Sequence, residues 1–224
     1  MALMERSTVA SLSDRLAELN NTNRDALPDA ALSVIDDATR TLQQCHPSAH
    51  AVGVGDTAPA FDLPNATGSS VTLANRRAEG PVVLSFYRGG WCPYCNLELQ
   101  ALQEAVADVE ATGAQLVAIS PQTPDASLST QQKHDLSFDV LSDVGNTVAD
   151  AYGLVFDLPD ALVALYKEFG IDLPTANGND SWTLPMPATF VIDTNGVVRY
   201  AFVDEDYTQR ADPNDILDVL RSLS

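Results

Sequence analysis

The chain has 224 residues, 45% of them hydrophobic, which is enough apolar material for one globular domain with an appendage. Its 31 acidic residues outnumber 12 basic ones, and the resulting net charge of −19 disfavours partners such as nucleic acid or an anionic membrane surface. Because the sequence shows no leader-like start, no membrane-length apolar stretch and only 3 cysteines, we expect a soluble cytoplasmic protein rather than a secreted disulfide framework.

The first part of the chain predicts a pair of helices within residues 7–45. Apolar residues recur there at helical spacing, and the polar interval 20–29, with Pro28 near the start of the second run, separates the two helices. His46-Pro47-Ser48 is typical of a linker. The sequence therefore predicts an N-terminal helical extension over residues 1–52 and a main domain over residues 53–224.

The centre of the main domain predicts a strand, a helix and a second strand. Residues 82–87 (VVLSFY) form an apolar run suited to a strand buried on both faces. Residues 93–112 carry an apolar stripe at helical spacing and end before Gly113, and residues 115–120 (QLVAIS) form another buried strand. This order implies a right-handed parallel crossover.

The last part of the chain predicts a hairpin and a helix. Strands at 189–193 and 197–202 flank a turn that contains Asn195-Gly196, a pair typical of tight hairpins. Residues 214–223 place their apolar side chains on one helical face. The expected fold class is α/β, with a central mixed β-sheet flanked by helices.

The sequence Trp91-Cys92-Pro93-Tyr94-Cys95 indicates thiol redox chemistry. Cys92 lies where the strand and the loop Arg88-Gly89-Gly90 meet the helix, whose free N-terminal amides stabilise a thiolate, and Pro93 suits the first helical position. Cys95 lies about one turn away on the same face and can close a disulfide with an oxidised Cys92. We predict that Cys92 is the nucleophile and Cys95 the resolving thiol.

Two alternatives for this pair of cysteines remain open. A zinc site needs two further ligands, and the remaining candidates are Cys45, His46, His50 and His134, which show no second paired spacing. A purely structural thiol pair is the other alternative, although it fits poorly with a strand, glycine turn and helix around the motif.

The main domain resembles the thioredoxin superfamily and, more narrowly, the peroxiredoxin group that includes alkyl hydroperoxide reductases and bacterioferritin-comigratory proteins. Four segments carry the resemblance: GDTAPAFDLPNATGSSVTL at 55–73, VVLSFYRGGWCPYC at 82–95, FDVLSDVGNTVADAYG at 138–153 and PATFVIDTNGVVRYAFV at 187–203. The resemblance implies a thioredoxin-like fold and reduction of hydrogen peroxide or organic hydroperoxides. Cys92 would become a sulfenic acid, Cys95 would condense with it, and thioredoxin or a glutaredoxin-type dithiol would reduce the disulfide without a metal or organic cofactor.

The sequence departs from the peroxiredoxin pattern at two positions. The family has a Pro-x-x-x-Thr-x-x-Cys loop whose hydroxyl, with a distant Arg, polarises the peroxide, but Gly89 stands three residues before Cys92. Pro187, after Met186, stands where the family usually has that Arg. A cis Met186–Pro187 bond beside Cys92 would resemble thioredoxin and its reductase relatives, so the alternative function is thiol-disulfide exchange with protein disulfides.

Several nearby residues are expected to shape the site or to recruit partners. Arg88 is the nearest fixed positive charge in sequence and could support the Cys92 thiolate. Trp91 and Tyr94 could form a hydrophobic rim for a protein partner, and the insert 157–182 could cover the site. The helical extension could serve as a docking arm or support a homodimer.

Overall fold

The computed structural model describes residues 11–223 and begins with two helices. Helix α1 spans Leu12–Ala26 and helix α2 spans Asp29–Cys45, followed by a 3-10 turn at Pro47–His50. Ser11 caps α1 through a reciprocal pair of hydrogen bonds with Asp14. The predicted helical pair is confirmed over these spans, while its first predicted residues, 7–10, lie outside the described residues.

The remaining elements are a mixture of strands and helices. In chain order they are β1 Asp62–Pro64, β2 Ser70–Thr72, α3 Leu73–Glu79, β3 Val82–Phe86, α4 Pro93–Ala111, β4 Gln115–Ser120, α5 Pro124–Lys133, β5 Asp139–Ser142, α6 Thr147–Ala151, β6 Val155–Asp157, α7 Asp160–Glu168, α8 Leu173–Asn177, β7 Thr183–Pro185, β8 Ala188–Ile192, β9 Val198–Val203 and α9 Pro213–Ser222.

The central sheet has five strands in the order β5-β4-β3-β8-β9. Strands β3, β4 and β5 are parallel, whereas β8 is antiparallel to both β3 and β9. The predicted crossover from β3 through α4 to β4 is confirmed, as is the predicted hairpin between β8 and β9. Gly196 adopts a φ of 85° in that turn, which glycine accepts at little cost. Two smaller sheets pair β1 with β2 and β6 with β7.

A hydrophobic core lies on each face of the central sheet. Val83 and Tyr87 belong to a buried cluster with α1, α4 and α9, while the alternate residues Val82, Leu84 and Phe86 belong to a cluster on the opposite face. A third cluster joins α2 to α7 and α8. The mixed α/β fold with helices around a central sheet is thus confirmed, and the N-terminal helices pack onto it.

Strand β3 and helix α4 determine where the cysteines lie. All of β3 is buried, and the chain passes from its carboxyl end through residues 87–91 directly to the start of α4. Within residues 11–223, no helix is both long enough and apolar enough to cross a membrane.

Candidate active site

Cys92 and Cys95 lie at the first turn of helix α4, as the sequence predicts. Cys92 is the N-cap residue, Pro93 occupies the first turn, and the Cys92 amide donates to the carbonyl of Gly89 at 3.0 Å. Both cysteines are reduced, with 1% and 0% of their surfaces exposed. A substrate therefore reaches Cys92 only when the side chains above it move.

The loop between β3 and α4 needs glycine at position 89. Gly89 has a φ of 140°, and a Cβ atom there would lie 2.5 Å from Nε1 of Trp91. The next amide, of Gly90, donates to Oε1 of Gln122 at 2.8 Å, and the Gly90 carbonyl accepts from Nδ2 of Asn96 at 3.0 Å. The loop thus has no room for the hydroxyl side chain that the peroxiredoxin pattern has at this position.

Arg88 lies buried in a cage of aromatic rings. Its guanidinium is 5.2 Å from the ring centre of Trp91, 6.0 Å from that of Tyr166 and 4.8 Å from that of Tyr207, and it donates to the Tyr166 hydroxyl. Only 3% of Arg88 is exposed, and no carboxylate in residues 11–223 forms an ion pair with it. A buried cation without a carboxylate partner stabilises an anion beside it.

The environment shifts the pKa values of Cys92 and Cys95 in opposite directions. Burial alone raises the pKa of Cys92, but hydrogen bonds from Cys95 and the charges of Arg88 and Arg210 outweigh it and lower the pKa to about 6. For Cys95, burial and the neighbouring Cys92 sulfur raise the pKa well above its usual range. Near neutral pH the pair therefore consists of a Cys92 thiolate and a Cys95 thiol.

A buried ion pair between Arg210 and Glu98 lies beside Cys95. Arg210 Nε donates to Oε2 of Glu98 at 2.6 Å, and Arg210 Nη2 donates to Sγ of Cys95 at 3.1 Å. The hydroxyls of Ser85 and Thr189, which face each other across β3 and β8, each approach Oε1 of Glu98 at 3.4 Å. Burial raises the pKa of Glu98 to about 7 despite the opposing charge of Arg210.

Four of these residues were missed by sequence reasoning: Glu98, Tyr166, Tyr207 and Arg210. Glu98 had a local signal, since it is a charged residue on the apolar stripe of α4, one turn after Cys95. The other three come from α7 and from the segment before α9, and only the tertiary fold brings them to the cysteines.

Tyr94 does not form the expected exposed rim, because helix α1 covers it. Only 3% of Tyr94 is exposed; its hydroxyl donates to Asn20 at 3.1 Å and accepts from Nδ2 of Asn23 at 3.3 Å. Trp91 is half-buried and packs edge-to-face against Tyr166 at 5.5 Å between ring centres. The N-terminal extension thus contacts the residue between the two cysteines, and α7 of the insert reaches the loop before them.

Met186 and Pro187 are buried, and the bond between them is not the cis bond that a thioredoxin-like site would have. Every peptide bond in the described range is trans. Strand β7 ends at Pro185 and β8 begins at Ala188, so this dipeptide links the β6–β7 pair to the central sheet. Met186 packs in the core on the face of the sheet opposite α4. The trans bond removes one of the two observations behind the disulfide-exchange alternative, whereas the other, the missing hydroxyl side chain at Gly89, is unchanged.

The other candidate metal ligands do not gather around the cysteines. Cys45 is exposed at the end of α2, and His134 accepts or donates a 3.1 Å hydrogen bond with Gln100. In the described part of the chain, His, Cys, Asp and Glu side chains form no group of three or more that could hold a metal ion.

Comparisons with known proteins agree with this fold and motif order. The family model described as the AhpC/TSA family matches residues 54–201. The chloroplastic peroxiredoxin Q of Oryza sativa subsp. japonica is 29% identical over 172 residues, covering 77% of this chain and 68% of that protein.

Solved structures show the same architecture. The peroxidoxin BcpB of Mycobacterium tuberculosis superposes with a TM-score of 0.60 at 24% identity, over 76% of this chain and 97% of that one. A peroxiredoxin Q of Xanthomonas campestris gives a TM-score of 0.56 at 17% identity, over 72% and 90% of the two chains. The chain therefore belongs to the AhpC/TSA family, as a peroxiredoxin-like member of the thioredoxin superfamily.

Proposed function

We propose that this protein is a thiol-dependent peroxidase that reduces hydrogen peroxide or organic hydroperoxides through Cys92 and Cys95. The observation that carries the proposal is the caged Arg88 beside Cys92, a buried cation whose stabilising charges come from cysteine and tyrosine rather than from a carboxylate. Such a cation favours a thiolate, which is the nucleophile that peroxide reduction requires.

The first step oxidises Cys92. The thiolate sulfur attacks one peroxide oxygen, an S–O bond forms as the O–O bond breaks, and the sulfur loses two electrons to the peroxide. The departing oxygen takes up a proton and leaves as water or an alcohol. The charge of Arg88 assists by stabilising both the thiolate and the oxyanion that develops as the O–O bond breaks.

The second step closes a disulfide between Cys92 and Cys95. The Cys95 sulfur attacks the sulfenic sulfur, and the hydroxyl group leaves as water. Cys95 must lose its proton for this attack, and its raised pKa requires a base. Glu98 lies one helical turn away with a pKa near 7, so we assign it as the proton acceptor, held in place by Arg210.

A dithiol such as thioredoxin or a glutaredoxin-type protein then reduces the disulfide. A reducing compartment such as the cytoplasm suits this cycle because dithiol carriers are kept reduced there. Homodimer formation stays a prediction. Light scattering tests it, because a monomer has a mass of 23.9 kDa. The trans Met186–Pro187 bond gives no support to disulfide exchange as a second function.

The test is a coupled assay of peroxide consumption with thioredoxin, its reductase and NADPH. We expect steady turnover by the wild type, none by Cys92→Ser, and for Cys95→Ser a single oxidation that dimedone traps as a sulfenic acid at Cys92. Exposed Cys45 supplies the control, since Cys45→Ser should turn over like the wild type. Peroxide reduction that persists in Cys92→Ser would contradict the proposal.

A further inference from the structure

A cavity of about 310 Å³ lies between the N-terminal extension and the insert helix α7. Ile35, Ala38 and Leu42 of α2 form one wall, and Phe156 and Leu162 contribute to the opposite one. Helix α2 lies outside residues 54–201, so this chain builds the wall from a segment beyond the family match. We name this space the α2–α7 cavity.

The inner end of the α2–α7 cavity is formed by the residues that surround Cys92. Arg88, Tyr166 and Tyr207 all line the cavity. The charge of Arg88 lowers the pKa of Cys92. The charge of Cys92 in turn helps to raise the pKa values of both tyrosines. The cage around Arg88 thus separates the apolar cavity from the sulfur of Cys92. Movement of the cage side chains would connect the cavity to the sulfur.

One buried donor at this end has no partner. Nε of Arg88 is buried, and within residues 11–223 it makes no hydrogen bond. Leaving a buried charged donor unpaired is unfavourable, so a ligand oxygen at this position would be stabilised. A hydroperoxide group supplies such an oxygen.

We propose that the α2–α7 cavity binds the apolar body of an uncharged organic hydroperoxide and directs its peroxide group to Arg88 and Cys92. The proposal rests on the peroxidase function above and names its preferred substrate class. A cavity of about 150 Å³ already holds benzene, so this larger one accommodates an aryl ring with a branched alkyl group. Asp157 and Glu205 also line the cavity and disfavour a substrate with a carboxylate.

The reaction in the cavity converts the hydroperoxide to its alcohol. The Cys92 sulfur bonds to the terminal oxygen, the O–O bond breaks, and the alkoxide that leaves is protonated to the alcohol. Cys92 is oxidised to the sulfenic acid and the hydroperoxide is reduced by two electrons, with the same resolving step as above.

The test compares two Ala→Trp variants of the same helix. Ala38→Trp places a large ring in the α2–α7 cavity, and Ala30→Trp places the same ring on the exposed face of α2 as a matched control. Stopped-flow mixing gives the rate constants of Cys92 oxidation by cumene hydroperoxide and by hydrogen peroxide, and circular dichroism checks that each variant folds.

The ratio of the cumene hydroperoxide rate constant to the hydrogen peroxide rate constant decides the outcome. We expect it to fall about tenfold or more in Ala38→Trp and to stay at the wild-type value in Ala30→Trp, since one apolar pocket contact supplies discrimination of this size. A smaller fall in Ala38→Trp, or an equal fall in both variants, overturns the proposal.

A second readout does not depend on catalysis or on Cys92 oxidation. Calorimetric titration with 2-phenyl-2-propanol, the alcohol product, measures occupation of the cavity directly. If the wild type reacts with neither peroxide faster than a free thiol, the proposed function fails and this titration alone decides the cavity. The proposal is supported if the alcohol binds to the wild type and to Ala30→Trp but not to Ala38→Trp. It is overturned if the alcohol binds equally to Ala38→Trp and Ala30→Trp, or does not bind to the wild type. The wild-type titration also decides if Ala38→Trp does not fold.

Discussion

At the scale of single residues, two arginines supply the positive charge around the reactive cysteine. Gly89 has no room for a hydroxyl side chain, and Pro187 stands where the pattern has an arginine. Arg88, from the loop before Cys92, and Arg210, from the segment before α9, supply positive charge from two other directions. Together the two charges favour the thiolate form of Cys92.

Replacing Arg88 by Gln should raise the pKa of Cys92. Removing an adjacent opposite charge shifts a pKa by about one unit or more. The rate of alkylation by iodoacetamide as a function of pH should therefore have its midpoint above the wild-type value, which lies near 6. Exposed Arg221, which pairs with Asp218 on α9, supplies the control Arg221→Gln, and an unchanged midpoint in Arg88→Gln would contradict the role of the Arg88 charge.

Replacing Glu98 by Gln should slow disulfide closure while Cys92 still oxidises. Because the pKa of Glu98 is raised to about 7, the carboxylate is present above that pH and is lost below it. In the wild type, the rate of closure after peroxide addition should rise as pH increases through 7, and Glu98→Gln should abolish that rise. Glu104, an exposed residue of the same helix, gives the matched control Glu104→Gln, and a rise that persists in Glu98→Gln would show that another base acts.

At the scale of elements, local patterns were enough to predict the parts that hold the cysteines. The apolar run of β3, the position of Pro93 and the Asn195-Gly196 turn each have a local physical signal, and the observed bounds differ from the predicted ones by about one residue. Tyr166, Tyr207 and Arg210 have no such signal, because their positions depend on how α7 and the segment before α9 pack.

Helix α1 is held against α4 by buried leucines, and Leu16→Ala should destabilise the protein. Leu16 is 6% exposed within the cluster that contains α4, and truncating a leucine in such a site costs about 2–5 kcal/mol through lost burial and cavity formation. Urea unfolding should show the loss in the free energy of unfolding. Glu18→Ala, on the exposed face of α1, should change it by less than about 0.5 kcal/mol. Equal stability of both variants would mean that α1 is not docked as described.

At the scale of the whole molecule, the net charge of −19 should make stability depend on salt. Repulsion among like charges destabilises the compact state, and salt screens it. Raising sodium chloride from about 0.01 to about 0.5 M should therefore raise the midpoint of thermal unfolding by ~2–4 °C, which corresponds to roughly 1 kcal/mol for a chain of this size. Sucrose at equal osmolality serves as the uncharged control, and a midpoint that follows sucrose rather than ionic strength would rule out charge repulsion as the cause.

The central claim is that Cys92, activated by Arg88, is the sulfur that peroxide oxidises. Stopped-flow mixing of peroxide with Cys95→Ser and with the double variant Arg88→Gln/Cys95→Ser isolates this step, because neither can close the disulfide. We predict that Cys95→Ser reacts roughly a thousandfold faster than a free thiolate, which corresponds to about 4 kcal/mol of transition-state stabilisation, and that the double variant loses most of this advantage. A Cys92 that reacts no faster than a free thiolate, with or without Arg88, would contradict the account.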